Sequence, residues 1–189
     1  PAENARRLLD RIPELRWVKV GSILFTAEGP EFVRELRGRG LQVFLDLKWH
    51  DIPHTVAGAV ESAAGVGVAM ATVHTLGGSA MMREAVRASA GRVGVVGVTV
   101  LTSHGPADYA ATLGRGGEVA LLDEVARLAG GARVAGLRGV VCSPLEVATV
   151  RSQLGEDAWV VVPGIRRSAD PPGDQIRTAT PEAAARAGA

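Results

Sequence analysis

The sequence predicts an α/β protein built on a parallel sheet. Three observations carry this expectation. Short valine-rich runs recur along the chain, amphipathic segments separate them, and the apolar runs are near-continuous, the habit of strands covered on both faces. A strand–helix–strand succession of this kind implies right-handed crossovers that lay helices against the sheet.

The elements follow in order. A helix is expected over Glu3–Leu9, then a strand over Trp17–Gly21 and a helix over Pro30–Arg37. Next come the strand Val43–Leu47, the helix Thr55–Gly65, the strand Ala69–His74 and the helix Ala80–Ala90. The strand Val93–Leu101, the helix Glu118–Ala129, the strand Gly139–Cys142, the helix Leu145–Leu154 and the strand Trp159–Val162 continue the pattern. Each helical segment spaces alanine, valine and leucine at three and four residues, with charges on the other side. Glycines follow several of them, where helices stop. The stretch Arg167–Gly173, rich in proline and glycine, reads as a loop inside the pattern, and Pro181–Ala187 is a last helix. Six strands with a helix outside each terminal one fit two architectures. One is a closed parallel barrel of eight strands lacking its first and last; the other is an open doubly wound sheet. Periodicity does not separate them.

At 189 residues the chain is long enough for one domain with a sizeable core. Hydrophobic residues make up 47% and charged residues 22%, which excludes a disordered chain. The net charge is +1 with both signs interspersed, so neither nucleic acid nor a membrane surface is an expected partner. The single cysteine, Cys142, excludes an intrachain disulfide and is read as a small buried hydrophobe. No apolar run reaches the length of a membrane span and no secretory signal is visible. The expectation is a cytoplasmic protein acting on a small molecule.

The chemistry concentrates in FLDLKWHDIPHTV, residues 44–56. Alternation points Leu45 and Leu47 one way and Phe44, Asp46 and Lys48 the other. Asp46 and Lys48 therefore share a face at the carboxyl end of a strand, with Asp51 beyond it in the turn before the next helix. Barrels and open sheets both build their sites at this edge. An isolated Asp-x-Lys is most simply a structural ion pair. A second aspartate followed by Ile52, Pro53 and Thr55 is harder to explain as packing, because three charges at a strand mouth are costly to desolvate. Lys19, in WVKVG one strand earlier, is either a lysine snorkelling out of the strand end or a partner for Asp46. In the second case Lys19, Asp46, Lys48 and Asp51 form a row of alternating charge, which keeps Lys48 protonated and in one geometry, as a general acid needs. His50 and His54 straddle a proline in a turn and read as solvent or helix-start positions. His74 could line the site or serve structural hydrogen bonding. Gly77 and Gly78 permit a tight strand-to-helix turn.

LDLKWHDIPHT resembles the signature of the orotidine 5′-phosphate decarboxylase family. VKVGSILFTAEGPEFVRELRGRG, VHTLGG, VTVLTS, GVVCSP and VPGIR followed by GDQ fall in that family's order, so the resemblance covers essentially the whole chain. The Asp-x-Lys-x-x-Asp core is shared with related barrels such as 3-keto-gulonate 6-phosphate decarboxylase and hexulose 6-phosphate synthase. The Asp-Ile-Pro-x-Thr continuation and the PGIR…GDQ loop are more specific to the orotidylate branch. The resemblance implies a (β/α)8 barrel and conversion of orotidine 5′-phosphate to UMP without a cofactor or metal. It implies that Lys48 protonates C6 of the pyrimidine, that Asp46 stands against the substrate carboxylate, and that Lys19 pairs with Asp46 and contacts the ribose. It further implies a homodimer in which Asp51 and Thr55, flanking Ile52, reach the neighbouring subunit's site. Thr102 and Ser103 match the hydroxyl position near the pyrimidine, and Arg166 and Gln175 match the phosphate-gripping loop.

The family's first-strand aspartate and last-strand Gly-Arg pair have no counterpart between Pro1 and Ala189. Residues 1–189 are therefore expected to be a single barrel domain belonging to a longer polypeptide. Two rival functions accompany the main one: a magnesium-dependent phosphosugar enzyme of the same barrel group, and a non-catalytic nucleotide binder that kept the pocket.

Overall fold

The computed structural model describes residues 2–117, 119–167 and 177–189. Six strands, β1 (Trp17–Gly21), β2 (Gln42–Trp49), β3 (Met70–His74), β4 (Gly94–Val98), β5 (Gly139–Val141) and β6 (Trp159–Val161), form one sheet in sequence order. All five pairings are parallel. A doubly wound sheet reverses its strand order at a switch point, and this one does not. A flat six-stranded sheet would also hold its outer strands about 24 Å apart, at roughly 4.8 Å per step. Instead the rings of Trp17 on β1 and Trp159 on β6 meet edge to face at 6.5 Å. The sheet is curled: the described residues form six strands of a β/α barrel, against eight in a closed one.

The helices are α1 (Ala2–Asp10), α2 (Ser22–Gly38), α3 (Pro53–Gly65), α4 (Gly78–Ser89), α5 (Pro106–Thr112), α6 (Leu121–Val134), α7 (Val147–Leu154) and α8 (Pro181–Ala187). α2, α3, α4, α6 and α7 pack on the outer face of the sheet. Val20, Val43 and Leu45 pack there with Phe32, Val33 and Leu36 of α2. Val73, Val95, Val140 and Val160 do the same against α3, α4, α6 and α7. Both sets are almost free of solvent, and burying a valine or leucine side chain contributes about 1.5–3 kcal/mol. The other face of each strand turns into the barrel. Gly94 lies there beneath Trp159: a Cβ on Gly94 would come within 2.1 Å of that ring. The bulky indole thus has space because its neighbour lacks a side chain.

Several expected boundaries move. The helix expected over Pro30–Arg37 is the second half of α2, which starts at Ser22 and kinks at Gly29, φ 69°, where proline follows. The strand expected over Val93–Leu101 ends at Val98. There Thr99 turns both its N–H and its hydroxyl to the Val141 carbonyl, and the chain leaves the sheet. The first turn expected in Leu145–Leu154 is a 3₁₀ turn, Pro144–Glu146. α6 runs from Leu121 to Val134, not over Glu118–Ala129, and Glu118 lies outside the described residues. Helix α5 was not expected; it is short, and proline sets its first turn. Among the described residues no helix is long and apolar enough to cross a membrane.

Candidate active site

The carboxyl ends of β1, β2 and β3 carry the charged cluster. β1 and β2 pair with Gly21 opposite Asp46, which sets Lys19 one layer below the carboxylate on the same face. Lys19 Nζ lies 3.4 Å from Asp46 Oδ2. Lys48 Nζ donates to both Asp46 oxygens at 2.9 Å. From β3, the Thr72 hydroxyl donates to Asp46 Oδ1 at 3.1 Å. The Asp46 side chain is 13% exposed, against 40% for Lys48 and 54% for Lys19. A sunken carboxylate is therefore bracketed by two ammonium groups that open to solvent. Burial alone would raise the Asp46 carboxyl. The hydrogen bond and charge of Lys48, the charge of Lys19 and the Thr72 hydroxyl outweigh it and hold the group below the usual carboxylate range. Asp46 is ionised at neutral pH and fixes the Lys48 ammonium at the mouth of the barrel.

The structure brings Lys19, Asp46 and Lys48 together and leaves Asp51 apart from them. Asp51 is exposed in the turn after β2, where its carboxylate accepts the Ile52 N–H at 2.6 Å. Among the described residues it forms no ion pair. Ile52 is 66% exposed, and Thr55 is exposed on the first turn of α3. Thr102 is buried and Ser103 exposed in the loop after β4. Arg166 is half-buried, its backbone N–H bonded to Ala179 O at 2.9 Å beside the isolated bridge between Ile165 and Ala179. Gln175 lies outside the described residues.

His54 is exposed at the start of α3. His50 is exposed too, but it stacks on His74, with ring centroids 5.4 Å apart. Burial, then the electrostatic influence of His50, Lys48 and His104, push the His74 imidazole down to about 4, so it is neutral at physiological pH. Gly78 turns the chain into α4 with φ 83°. Cys142 is buried and its thiol is pushed up to about 12 by burial, which fits an inert packing residue.

Two groups of this end were not anticipated. One is Thr72, a fully buried hydroxyl in the strand MATVH; the alternation that places His74 toward the interior places Thr72 there as well. The other is an ion pair between Arg177 and Glu146, both nearly free of solvent. Arg177 also donates to Leu101 O at 3.0 Å, and Glu146 accepts the Ser143 N–H at 2.8 Å. The pair joins the segments that follow β4, β5 and β6. No local pattern announces it, because its partners are far apart in sequence. Among the described residues, no three His, Cys, Asp or Glu side chains are grouped to hold a metal ion. A cavity of about 660 Å³ lies at the opposite, amino end of the sheet, lined in part by Gly94, Gly139 and Trp159. It is remote from the charged cluster.

A curled parallel sheet with ion-paired lysines and a carboxylate at its carboxyl edge defines an enzyme of the β/α-barrel class. Residues 1–189 match the profile of the orotidine 5′-phosphate decarboxylase / HUMPS family. The chain belongs to that family. It is 50% identical over 195 residues to the orotidine 5′-phosphate decarboxylase of Halorhodospira halophila, covering 100% of this chain and 79% of that protein. Among solved structures, it resembles an uncharacterized conserved protein from Geobacillus kaustophilus, with TM-score 0.84 and 32% identity over 100% of this chain and 83% of the other. It also resembles the orotidine 5′-phosphate decarboxylase of Lactobacillus acidophilus, with TM-score 0.78 and 33% identity over 97% of this chain and 82% of the other.

Proposed function

We propose that this chain, as one barrel domain, decarboxylates orotidine 5′-phosphate to UMP, the closing step of pyrimidine nucleotide synthesis, in the cytoplasm. The observation that carries the reading is the Lys19–Asp46–Lys48 array, with Lys48 Nζ held 2.9 Å from both oxygens of an ionised, sunken carboxylate. Loss of carbon dioxide from the orotate ring leaves an electron pair at C6 with no adjacent electron sink. The chain must stabilise that charge electrostatically and deliver a proton. Lys48 does both: its ammonium faces the developing carbanion, and it transfers a proton to C6 as the C–C bond breaks. Asp46 holds that ammonium in place and stands against the departing carboxylate. Lys19 completes the charge balance and binds the ribose. Thr102 and Ser103 contact the pyrimidine, while Arg166 and Gln175 grip the phosphate. In a homodimer, Asp51, Ile52 and Thr55 serve the partner's site, for which their exposure leaves them available. No cofactor takes part.

The test is the loss of orotidylate absorbance on adding the full-length protein, with and without a chelator. Turnover unaffected by the chelator is expected. Turnover abolished by it would favour the magnesium-dependent phosphosugar branch of the same barrels. UMP binding with no turnover would favour a non-catalytic binder.

A further inference from the structure

Strands β2 and β3 lose their simple register where the charges sit. Phe44 pairs with Met70 and Leu45 with Ala71, but the next pairing is Trp49 with Val73. Four residue steps on β2 thus span two on β3, and the surplus falls across Asp46 to Lys48. A bulge of this kind bends its strand, re-aims side chains and leaves backbone groups outside the ladder. Lys48 takes up the excess in the left-handed region, φ 52°. For a residue other than glycine that conformation costs about 1–2 kcal/mol. It persists only where the surroundings impose it.

Thr72 sits between the two regular pairings, opposite the bulge. Its hydroxyl accepts the Lys48 backbone N–H at 2.8 Å and donates to Asp46 Oδ1 at 3.1 Å. A hydroxyl has one proton to give, and an amide N–H can only donate, so the directions of both bonds are set. The side chain is fully buried. One group therefore meets the N–H of the strained residue and also clamps the carboxylate that holds that residue's ammonium. Backbone and side chain of Lys48 are tied to the same atom, directly in one case and through Asp46 in the other.

We propose that Thr72 is a positioning residue, whose hydroxyl holds the Lys48 bulge and the Asp46 carboxylate in the single geometry that presents the Lys48 ammonium to the substrate. The inference rests on the decarboxylation proposed above. Thr72 acts through Lys48 and Asp46, not on the substrate, so its loss should appear in the chemical step and spare binding made through ribose and phosphate.

The experiment uses the full-length protein and its Thr72→Val, Thr72→Ala and Thr72→Ser variants. It measures kcat and KM for orotidylate, and Kd for UMP by calorimetry. Valine keeps the shape and removes the hydroxyl; kcat should fall on the order of a hundredfold, the scale of a misplacement of about 1 Å. KM and the UMP Kd should stay within about threefold of wild type, as expected when an interaction serves the chemical step alone. Thr72→Ala should match the valine variant in kcat, and it carries the comparison should the valine variant not fold. Thr72→Ser should restore kcat to within about threefold of wild type, because it keeps the donor and acceptor. A valine or alanine variant with unchanged kcat would overturn the proposal. So would equal losses in the serine and valine variants, which would assign the effect to packing, or a loss confined to KM. Wild-type turnover in the same assay keeps the two readings distinct. Its absence would sink the decarboxylation itself, whereas normal wild-type turnover beside an unaffected valine variant would sink only the role of Thr72.

Discussion

Replacing Lys48 by alanine and, separately, by glycine tests the strain and the chemistry of the same residue. Both variants lose the ammonium and its two bonds to Asp46, so that cost is common to both and cancels between them. What remains is the backbone. At φ 52° alanine keeps the left-handed penalty of about 1–2 kcal/mol, and glycine removes it. Glycine's greater freedom in the unfolded chain offsets about 0.5–1 kcal/mol of that gain. The glycine variant should therefore be more stable than the alanine variant by up to about 1.5 kcal/mol. For a chain of this size this is a rise of up to about 6 °C in Tm, readable by scanning calorimetry. Both variants should lose kcat for orotidylate by about a thousandfold or more, since general acid catalysis alone contributes about 10²–10⁴-fold. Both should still bind UMP. A glycine variant less stable than the alanine variant would refute the strain at Lys48. A folded variant with kcat within about tenfold of wild type would refute Lys48 as the proton donor.

Three further outcomes are expected. Arg166→Ala should weaken kcat/KM strongly for orotidylate and little for the phosphate-free nucleoside, because alanine cannot replace a two-pronged guanidinium grip; equal losses on both substrates would place Arg166 elsewhere. Refolding Lys48→Ala together with Asp51→Ala should recover about a quarter of wild-type activity per subunit if the sites act independently, since half the dimers are mixed and one site in each of those is intact; no recovery after confirmed subunit exchange would place Asp51 in its own chain's site. Glu146→Gln should cost about 3–5 kcal/mol by leaving the Arg177 charge buried without its partner, measured as a shift in the urea midpoint, and a loss below about 1 kcal/mol would show that the guanidinium finds another acceptor.

The sequence by itself determined what short-range periodicity can carry. Near-continuous valine runs specify strands buried on both faces. The two-residue repeat through Phe44, Asp46 and Lys48 places two charges on the inner face, and Leu45 and Leu47 on the other. The order of motifs was sufficient to point to the family, and Pro181–Ala187 is a helix with the bounds expected. Element ends were less legible, because a bulge, a glycine kink or a side-chain bond to a neighbouring strand overrides local propensity, as at Gly29 and Thr99. Periodicity left barrel against open sheet undecided; the motif resemblance implied the barrel, and the tertiary structure shows how the sheet curls. That curl depends on the twist accumulated over five pairings until Trp17 meets Trp159, and no window of sequence contains both residues. It also brought Lys19 within reach of Asp46, put the strain at Lys48, set Thr72 against the bulge and buried Arg177 on Glu146. Each is a contact between residues at least 24 positions apart, or the backbone's response to one. Periodicity decides which face a residue occupies; the pairing of distant segments decides what it meets there.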